Sequence, residues 1–131
     1  MDDIKGYFEN KTGLGVLATA DGDGLVDTAV YARPHVTADD RLSFIMADRL
    51  SHANVLANPH ASYLFVEEGP GYRGKRLYLT KIGEDTDREV IDSLRRRSGR
   101  DACSRSDGKL FLVHFRIDRV LPLVGDDGQG I

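Results

Sequence analysis

Three side chains within four residues, Arg49, Ser51 and His52, are the best suited to chemistry in this sequence. An apolar run, Leu42 to Met46, precedes them and predicts a short buried strand, and a helix of about two turns is predicted over Ser51 to Ala57. The first turn of a helix has unpaired backbone N–H groups and the positive end of the helix dipole. A basic, hydroxyl-bearing turn between a strand and a short helix therefore suits a phosphate. The spacing indicates anion binding and does not name the ligand.

The start of this helix has two candidate N-caps. Ser51 can cap the helix itself, and Asp48 is the second candidate, because each side chain carries an oxygen that accepts from the N–H groups of a first turn. An ordinary helix start with arginine and histidine on the surface would explain the same residues. The spacing alone leaves both explanations open.

Other combinations of reactive side chains are weaker. The four histidines, His35, His52, His60 and His114, form no H-E-x-x-H motif and no cysteine–histidine cluster, so we predict no metal site. The single cysteine, Cys103, excludes an intrachain disulfide, and no base is marked for it as a nucleophile. We therefore assign no catalytic residue from the sequence.

A glycine-rich loop, Glu67 to Gly74 (EEGPGYRG), is a further candidate. It is neither a Walker motif nor a dinucleotide fingerprint, because no G-K-[ST] follows it and it does not lead from a strand into a helix. It is either a plain connection between strands or a lid or partner-contact loop that carries Tyr72 and Arg73.

Length and charge limit the classes of protein to consider. With 131 residues, the chain is predicted to form one domain, residues 1–131. The net charge of −3 and the pI of about 5.8 give no global basic field, so we expect no nucleic-acid partner. The sequence has no apolar run of ~18 residues and no signal-peptide pattern, so we expect no membrane partner and a cytoplasmic location.

The elements that position these residues predict a mainly β protein. We predict helices over Asp2 to Asn10, Ser51 to Ala57 and Glu84 to Ser98, and strands over Gly15 to Ala20, Leu25 to Arg33, Leu42 to Met46, Ala61 to Val66, Lys75 to Ile82 and Lys109 to Val120. Tight turns join most of these strands, so the sheet should be mostly antiparallel. Six strands with few open edges favour a β-barrel with peripheral helices.

Two details of these elements are open to test. In the strand Leu25 to Arg33, the even positions, Val26, Thr28, Val30 and Ala32, are predicted to face the core, and the mixed odd positions are predicted to border a cleft. In the last helix, Thr86 and Glu89 have the spacing of a capping box, and Gly99 should end the helix.

Between Leu25 and Val66 the pattern becomes specific. A small apolar strand, GVLATA, leads into a D-G turn, and the polar-flanked strand VDTAVYARP follows. The strand, turn and short helix then end on Asn54-Val55-Leu56-Ala57-Asn58-Pro59, directly before the next strand. In this order, from about Gly13 to Ile82, the sequence resembles the FMN-binding split-barrel family related to pyridoxamine 5′-phosphate oxidase.

The resemblance implies a homodimer that binds FMN at the interface between the subunits. In this family the strand before the turn lies along the flavin, the turn holds the phosphate, and an earlier strand borders the flavin ring. The corresponding cofactor-binding residues are Thr28, Ala29, Val30, Tyr31, Ile45, Met46, Ala47, Asp48, Arg49, Ser51, His52 and Asn54.

The turn departs from the family pattern, S-x-K. Without a gap, Arg49 stands in the place of the serine and Ser51 in that of the lysine; with a gap of one residue, Ser51 is the serine and His52 is at the basic position. Both alignments keep Arg49 nearby, and arginine can bind phosphate through two hydrogen bonds. The family's members that oxidise pyridoxine phosphate also have a C-terminal extension rich in Arg and Trp. This sequence has no Trp, so we do not expect that activity.

Three functional hypotheses follow from the resemblance. The first is an FMN-dependent oxidoreductase that acts on a small-molecule electron donor or substrate, with redox chemistry supplied by the cofactor. The second is a flavin electron carrier or redox sensor without substrate turnover. The third is a relative that binds a deazaflavin or haem, for which His35, His52, His60 or His114 would be the axial ligand.

Overall fold

An antiparallel sheet dominates this protein, whose computed structural model describes residues 3–98 and 108–125. Within those residues, the elements in chain order are α1 (Ile4–Asn10), β1 (Gly13–Ala20), β2 (Val26–Val30), β3 (His35–Ala38), β4 (Arg41–Ala47), α2 (Leu50–Ala57), β5 (His60–Glu67), β6 (Gly74–Asp85), α3 (Arg88–Ser98) and β7 (Leu110–Pro122). The predicted mainly β, antiparallel class is confirmed.

The sheet has seven strands in the described residues, one more than predicted, in the order β2-β1-β5-β6-β7-β4-β3. The additional strand, β3, lies between the predicted strands Leu25 to Arg33 and Leu42 to Met46, where no element was predicted. It pairs with the start of β4 through His35 opposite Ser43 and Val36 opposite Leu42. The sheet does not close in the described residues, because β2 and β3 form its two edges.

The core lies inside the curved sheet and is rich in aromatic side chains. Phe44, Tyr63, Phe65 and Phe115 are buried there together with Phe8 of α1. The rings meet mostly edge to face, as Phe8 does with Phe65 at 5.3 Å between centroids. This packing holds β4 and β5, the two strands that flank α2, in a fixed relation.

The prediction of which positions of β2 face the core was wrong, because the even positions are the exposed ones. Val26 and Val30 are 66% and 71% exposed, and Thr28 is exposed as well. The odd positions, Asp27 and Ala29, are the partly buried ones. Both faces of this strand carry apolar residues, so the alternation could not decide which face packs on the core.

The N-cap of α3 also differs from the prediction. Asp87, and not Thr86, accepts hydrogen bonds from the backbone N–H groups of Glu89 (3.0 Å) and Val90 (3.5 Å). Ile91 of this helix packs on Leu110 and Leu112 of β7. The predicted end of the helix at Gly99, and Cys103 in the loop that follows, lie outside the described residues.

The glycine-rich loop connects β5 to β6. Gly69, Gly71 and Gly74 have positive φ angles, and the backbone N–H of Glu67 donates to the carbonyl of Arg73 over 2.8 Å. The segment joins two neighbouring strands, and its role as a lid or partner-contact loop stays a prediction. None of the described helices has both the length and the apolar character needed to cross a membrane.

Candidate functional site

The first turn of α2 has backbone N–H groups without a partner in the described residues. Its N-cap is Arg49, an extended residue whose side chain makes no capping hydrogen bond, so the predicted caps Ser51 and Asp48 were both wrong. The backbone N–H groups of Leu50, Ser51 and His52 donate no hydrogen bond to any described residue. These groups and the helix dipole present a partial positive charge.

The Ser51 side chain in this turn is buried without a partner. The residue is only 6% exposed, and its hydroxyl makes no hydrogen bond in the part of the chain that the structure describes. A buried polar group without a partner is uncommon in native proteins and costs about 1–3 kcal/mol. A ligand oxygen at this turn would satisfy the hydroxyl, so the residues present fit a phosphate group.

Arg49 is available to the same ligand. Its side chain is exposed and makes neither an ion pair nor a hydrogen bond within residues 3–98 and 108–125. Asp48, the oppositely charged residue directly before Arg49 in the sequence, is exposed as well and makes no ion pair with it in the described residues. A guanidinium without an internal partner is free to bind an incoming anion.

His52 is in a different situation, because its side chain already has partners. The residue is 3% exposed, its ring stacks on Phe111 at 3.7 Å, and Nε2 lies 3.0 Å from Oε1 of Glu84. Lys81 approaches the same oxygen to 2.9 Å. Burial by itself would raise the pKa of Glu84, but hydrogen bonds from Lys81 and His52 lower it overall. Glu84 is therefore ionised and accepts from both.

Asn54 joins α2 to the sheet. Its side-chain amide is buried and donates to the Thr19 hydroxyl over 3.0 Å. Thr19 of β1 lies opposite Asp27 of β2, so this hydrogen bond brings α2 beside the inward face of β2. Asn54 thus positions the helix, and its predicted contact with a cofactor stays a prediction.

The end of β4 leads into this turn with one free edge. β3 pairs only with Arg41 to Ser43, so the edge from Phe44 to Ala47 has no strand partner among the described residues. The side chain of Met46 is fully buried in the core, whereas Ile45 and Ala47 are partly buried. Met46 could therefore contact a cofactor only through its backbone.

The predicted residues of β2 and the following Tyr31 divide into two groups. Ala29 faces inward, and the Tyr31 ring meets Phe44 of β4 edge to face at 5.7 Å, which places it next to Ile45. Thr28 and Val30 point to the opposite, exposed face. The structure therefore brings Ala29 and Tyr31 towards the β4 side and leaves the other two side chains outside.

His52 and His114, two of the four histidines, already have hydrogen-bonding partners within the chain. Nε2 of His52 is bonded to Glu84, and His114 has Ser43 at 2.6 Å from Nδ1 and Asp85 at 3.4 Å from Nε2. Within the described residues, no group of three or more His, Cys, Asp or Glu side chains could hold a metal ion.

The cluster of Ser43, His114 and Asp85 was missed by the sequence analysis. It has the residue types of a nucleophilic triad, but Ser43 is fully buried and no substrate could reach it. The three residues meet because β4, β7 and β6 are neighbours in the sheet. No signal in the sequence could have found them, since they are separated by 71 and 29 residues.

Solved structures similar to this one show what the fold is. An FMN-binding protein from Syntrophomonas wolfei has a TM-score of 0.75 and 19% identity, over 94% of this chain and 85% of that one. HupZ from Group A Streptococcus has a TM-score of 0.70 and 17% identity, over 100% and 98%. A candidate pyridoxamine 5′-phosphate oxidase from Lactobacillus delbrueckii has a TM-score of 0.65 and 16% identity, over 92% of each chain. The chain has the pyridoxamine 5′-phosphate oxidase-like split-barrel fold.

Split barrels with other descriptions are similar too. An F420 reductase matches with a TM-score of 0.66, and HutZ, a haem storage protein from Vibrio cholerae, with 0.65, each at 16% identity. The F420 reductase match covers 92% of this chain and 98% of that one, and the HutZ match covers 91% of each. No protein-family model and no curated protein matches the sequence. At such low identity the likeness establishes the split-barrel fold, and the ligand has to be argued from the residues of the site.

Proposed function

We propose that this protein is an FMN-binding flavoprotein and an oxidoreductase that acts on a small molecule. The observation that carries the proposal is the first turn of α2, where three backbone N–H groups, the buried Ser51 hydroxyl and the Arg49 guanidinium occur together, all without a partner among the described residues. This set suits the terminal phosphate of FMN. A similar split barrel is an FMN-binding protein, which supports the same cofactor here.

In this proposal each part of the site has a separate task. Arg49 and Ser51 hold the phosphate, and the free edge of β4 from Phe44 to Ala47 offers backbone groups to the polar edge of the flavin. Tyr31 closes the site beside Phe44. When bound, FMN supplies the redox chemistry, and the chain binds and orients it.

We also propose that two copies of the chain form a dimer with the flavin at their interface. The outward face of β1 and β2 carries Leu14, Val26 and Val30, all exposed, at positions that the strand register places on one side of the sheet. An apolar surface of this kind suits a partner protein. Helix α2 likewise exposes Leu50 and Leu56 while its polar residues are buried.

The alternatives receive less support from the site. Haem would need an axial histidine, and His52 and His114 have partners within the chain. His35 and His60 lie on β3 and β5 and not in the first turn of α2. A deazaflavin would need a broad basic groove for its anionic tail. Among the residues on which the proposal rests, Arg49 is the only cation. The cytoplasmic location and the lack of nucleic-acid and membrane partners stay predictions.

An absorbance spectrum of the purified protein, with and without added FMN, tests the proposal. Flavin bands that remain with the protein through gel filtration would support it, and light scattering should then give twice the mass of one 14.5 kDa chain. A Soret band would favour haem. A spectrum that FMN leaves unchanged after gel filtration would refute the proposed function.

A further inference from the structure

Glu84 occupies an unusual position beside the proposed phosphate site. One of its oxygens, Oε1, is shared between Nε2 of His52 at 3.0 Å and Nζ of Lys81 at 2.9 Å. A register shift between Lys81 and Gly83 in the β6–β7 ladder turns the strand locally, so that residues three apart can meet. The carboxylate therefore lies between a cation of β6 and the first turn of α2.

This contact fixes one proton on the His52 ring. An ionised carboxylate can only accept hydrogen bonds, so the nitrogen that faces Glu84, Nε2, carries a hydrogen. The other nitrogen, Nδ1, makes no hydrogen bond to any described residue, although His52 is almost completely buried. His52 directly follows Ser51, whose hydroxyl is also buried without a partner.

The plane of the ring is fixed as well. Phe111 of β7 stacks on the imidazole with an angle of 13° between the planes. Rotation about the last side-chain bond would break both this stacking and the hydrogen bond to Glu84. Glu84 of β6 and Phe111 of β7 thus set the orientation of Nδ1.

We propose that Glu84 is a positioning residue for the cofactor phosphate: it holds the His52 ring, which carries a hydrogen on both nitrogens when the phosphate is bound, so that the Nδ1–H group donates to the anion beside Ser51 and Arg49. This inference rests on the proposed function, because it assumes that α2 binds a phosphate. A purely structural Glu84 would support α2 equally for every flavin. The loss of a positioning residue would weaken the binding of FMN, which carries a phosphate, and leave the binding of a flavin without phosphate unchanged.

The test compares FMN with riboflavin, which lacks the phosphate, by fluorescence titration of flavin-free protein. In Glu84→Ala the affinity for FMN should fall about tenfold, as expected when a hydrogen bond to a charged group is lost. The affinity for riboflavin should stay unchanged. In Glu84→Gln the amide oxygen can still accept from Nε2, so most of the preference for FMN should remain. Glu89→Ala, an exposed glutamate of α3, is the matched control and should change neither affinity.

Other outcomes would overturn the inference. If the ratio of FMN affinity to riboflavin affinity in Glu84→Ala equals that of wild type, Glu84 has only a structural role. If the ratio is higher than in wild type, the charge of Glu84 merely repels the phosphate. If Glu84→Ala does not fold, Phe111→Leu, which removes the stacking on His52, must reduce the ratio for the inference to stand. A wild-type protein that binds FMN no better than riboflavin would instead refute the phosphate site itself.

Discussion

Two helices of this protein begin in opposite ways. Asp87 caps α3 through hydrogen bonds from the N–H groups of Glu89 and Val90, so two donors of its first turn are satisfied by a side chain. Helix α2 has no side-chain cap, and its polar residues Ser51 and His52 are buried. A first turn with a side-chain cap and one whose donors have no partner in the described residues indicate different purposes, namely stability for α3 and ligand binding for α2.

The largest effect on FMN affinity is expected at Arg49, the N-cap residue of α2, whose guanidinium has no partner in residues 3–98 and 108–125. Arg49→Ala should weaken FMN binding by ~1.5–3 kcal/mol, the range for a hydrogen bond to a charged group. Titration of the flavin-free variant measures this change. Arg88→Ala is the matched control, because Arg88 begins α3 and pairs with Asp92 of its own helix at 3.1 Å. Equal affinity of Arg49→Ala and wild type would show that Arg49 does not bind the phosphate.

The cap of α3 should matter for folding and not for the cofactor. Asp87→Ala removes the acceptor of two backbone N–H groups and should lower the free energy of unfolding by about 0.5–2 kcal/mol. Urea denaturation measures the loss. Weaker FMN binding in this variant would contradict the separate roles of the two helix starts, stability for α3 and ligand binding for α2.

Ser51 should show the reverse behaviour with a smaller effect. Ser51→Ala removes a buried hydroxyl that has no described partner, so the flavin-free protein should be no less stable than wild type. The same variant should bind FMN more weakly by about 1.5 kcal/mol, the lower end of the range for a hydrogen bond to a charged group. A loss of stability without a loss of affinity would mean that the hydroxyl has a structural role.

The smallest expected effect is the pH dependence due to Glu84. Burial would raise its pKa, but hydrogen bonds from Lys81 and His52 outweigh this effect and hold the pKa in the folded protein below its usual value, so the folded state binds a proton less readily than the unfolded state. Glu84 therefore contributes stability above this value, and the contribution is lost as the pH falls through the folded pKa. The difference in melting temperature between wild type and Glu84→Gln should shrink from neutral pH to about pH 3. A constant difference would argue against an ionised Glu84.

Much of the fold could be predicted from local sequence patterns. β1 and β4 to β7, the helices and the position of the α2 turn follow from alternation, turn residues and the Asn-Pro end of the helix. β3 could not be predicted, because its four residues form a strand only by pairing with β4. The inward face of β2 was equally undetermined, since both of its faces are partly apolar.

The candidate site was predicted in part. Arg49 and Ser51 lie two residues apart in one turn, so a local motif could indicate them. Glu84 could not be found in this way, because it lies 32 residues from His52 and reaches it through the pairing of other strands. The choice of cap at α3 was also beyond the sequence, since Thr86 and Asp87 are neighbours and each could have served.

The most direct test of a phosphate site at the start of α2 is a titration of the wild-type, flavin-free protein with FMN and with riboflavin. The two molecules differ only in the phosphate. We predict that FMN binds at least about tenfold more tightly, because Arg49, Ser51 and the free N–H groups of α2 contribute to FMN alone. Equal affinities would contradict the phosphate site.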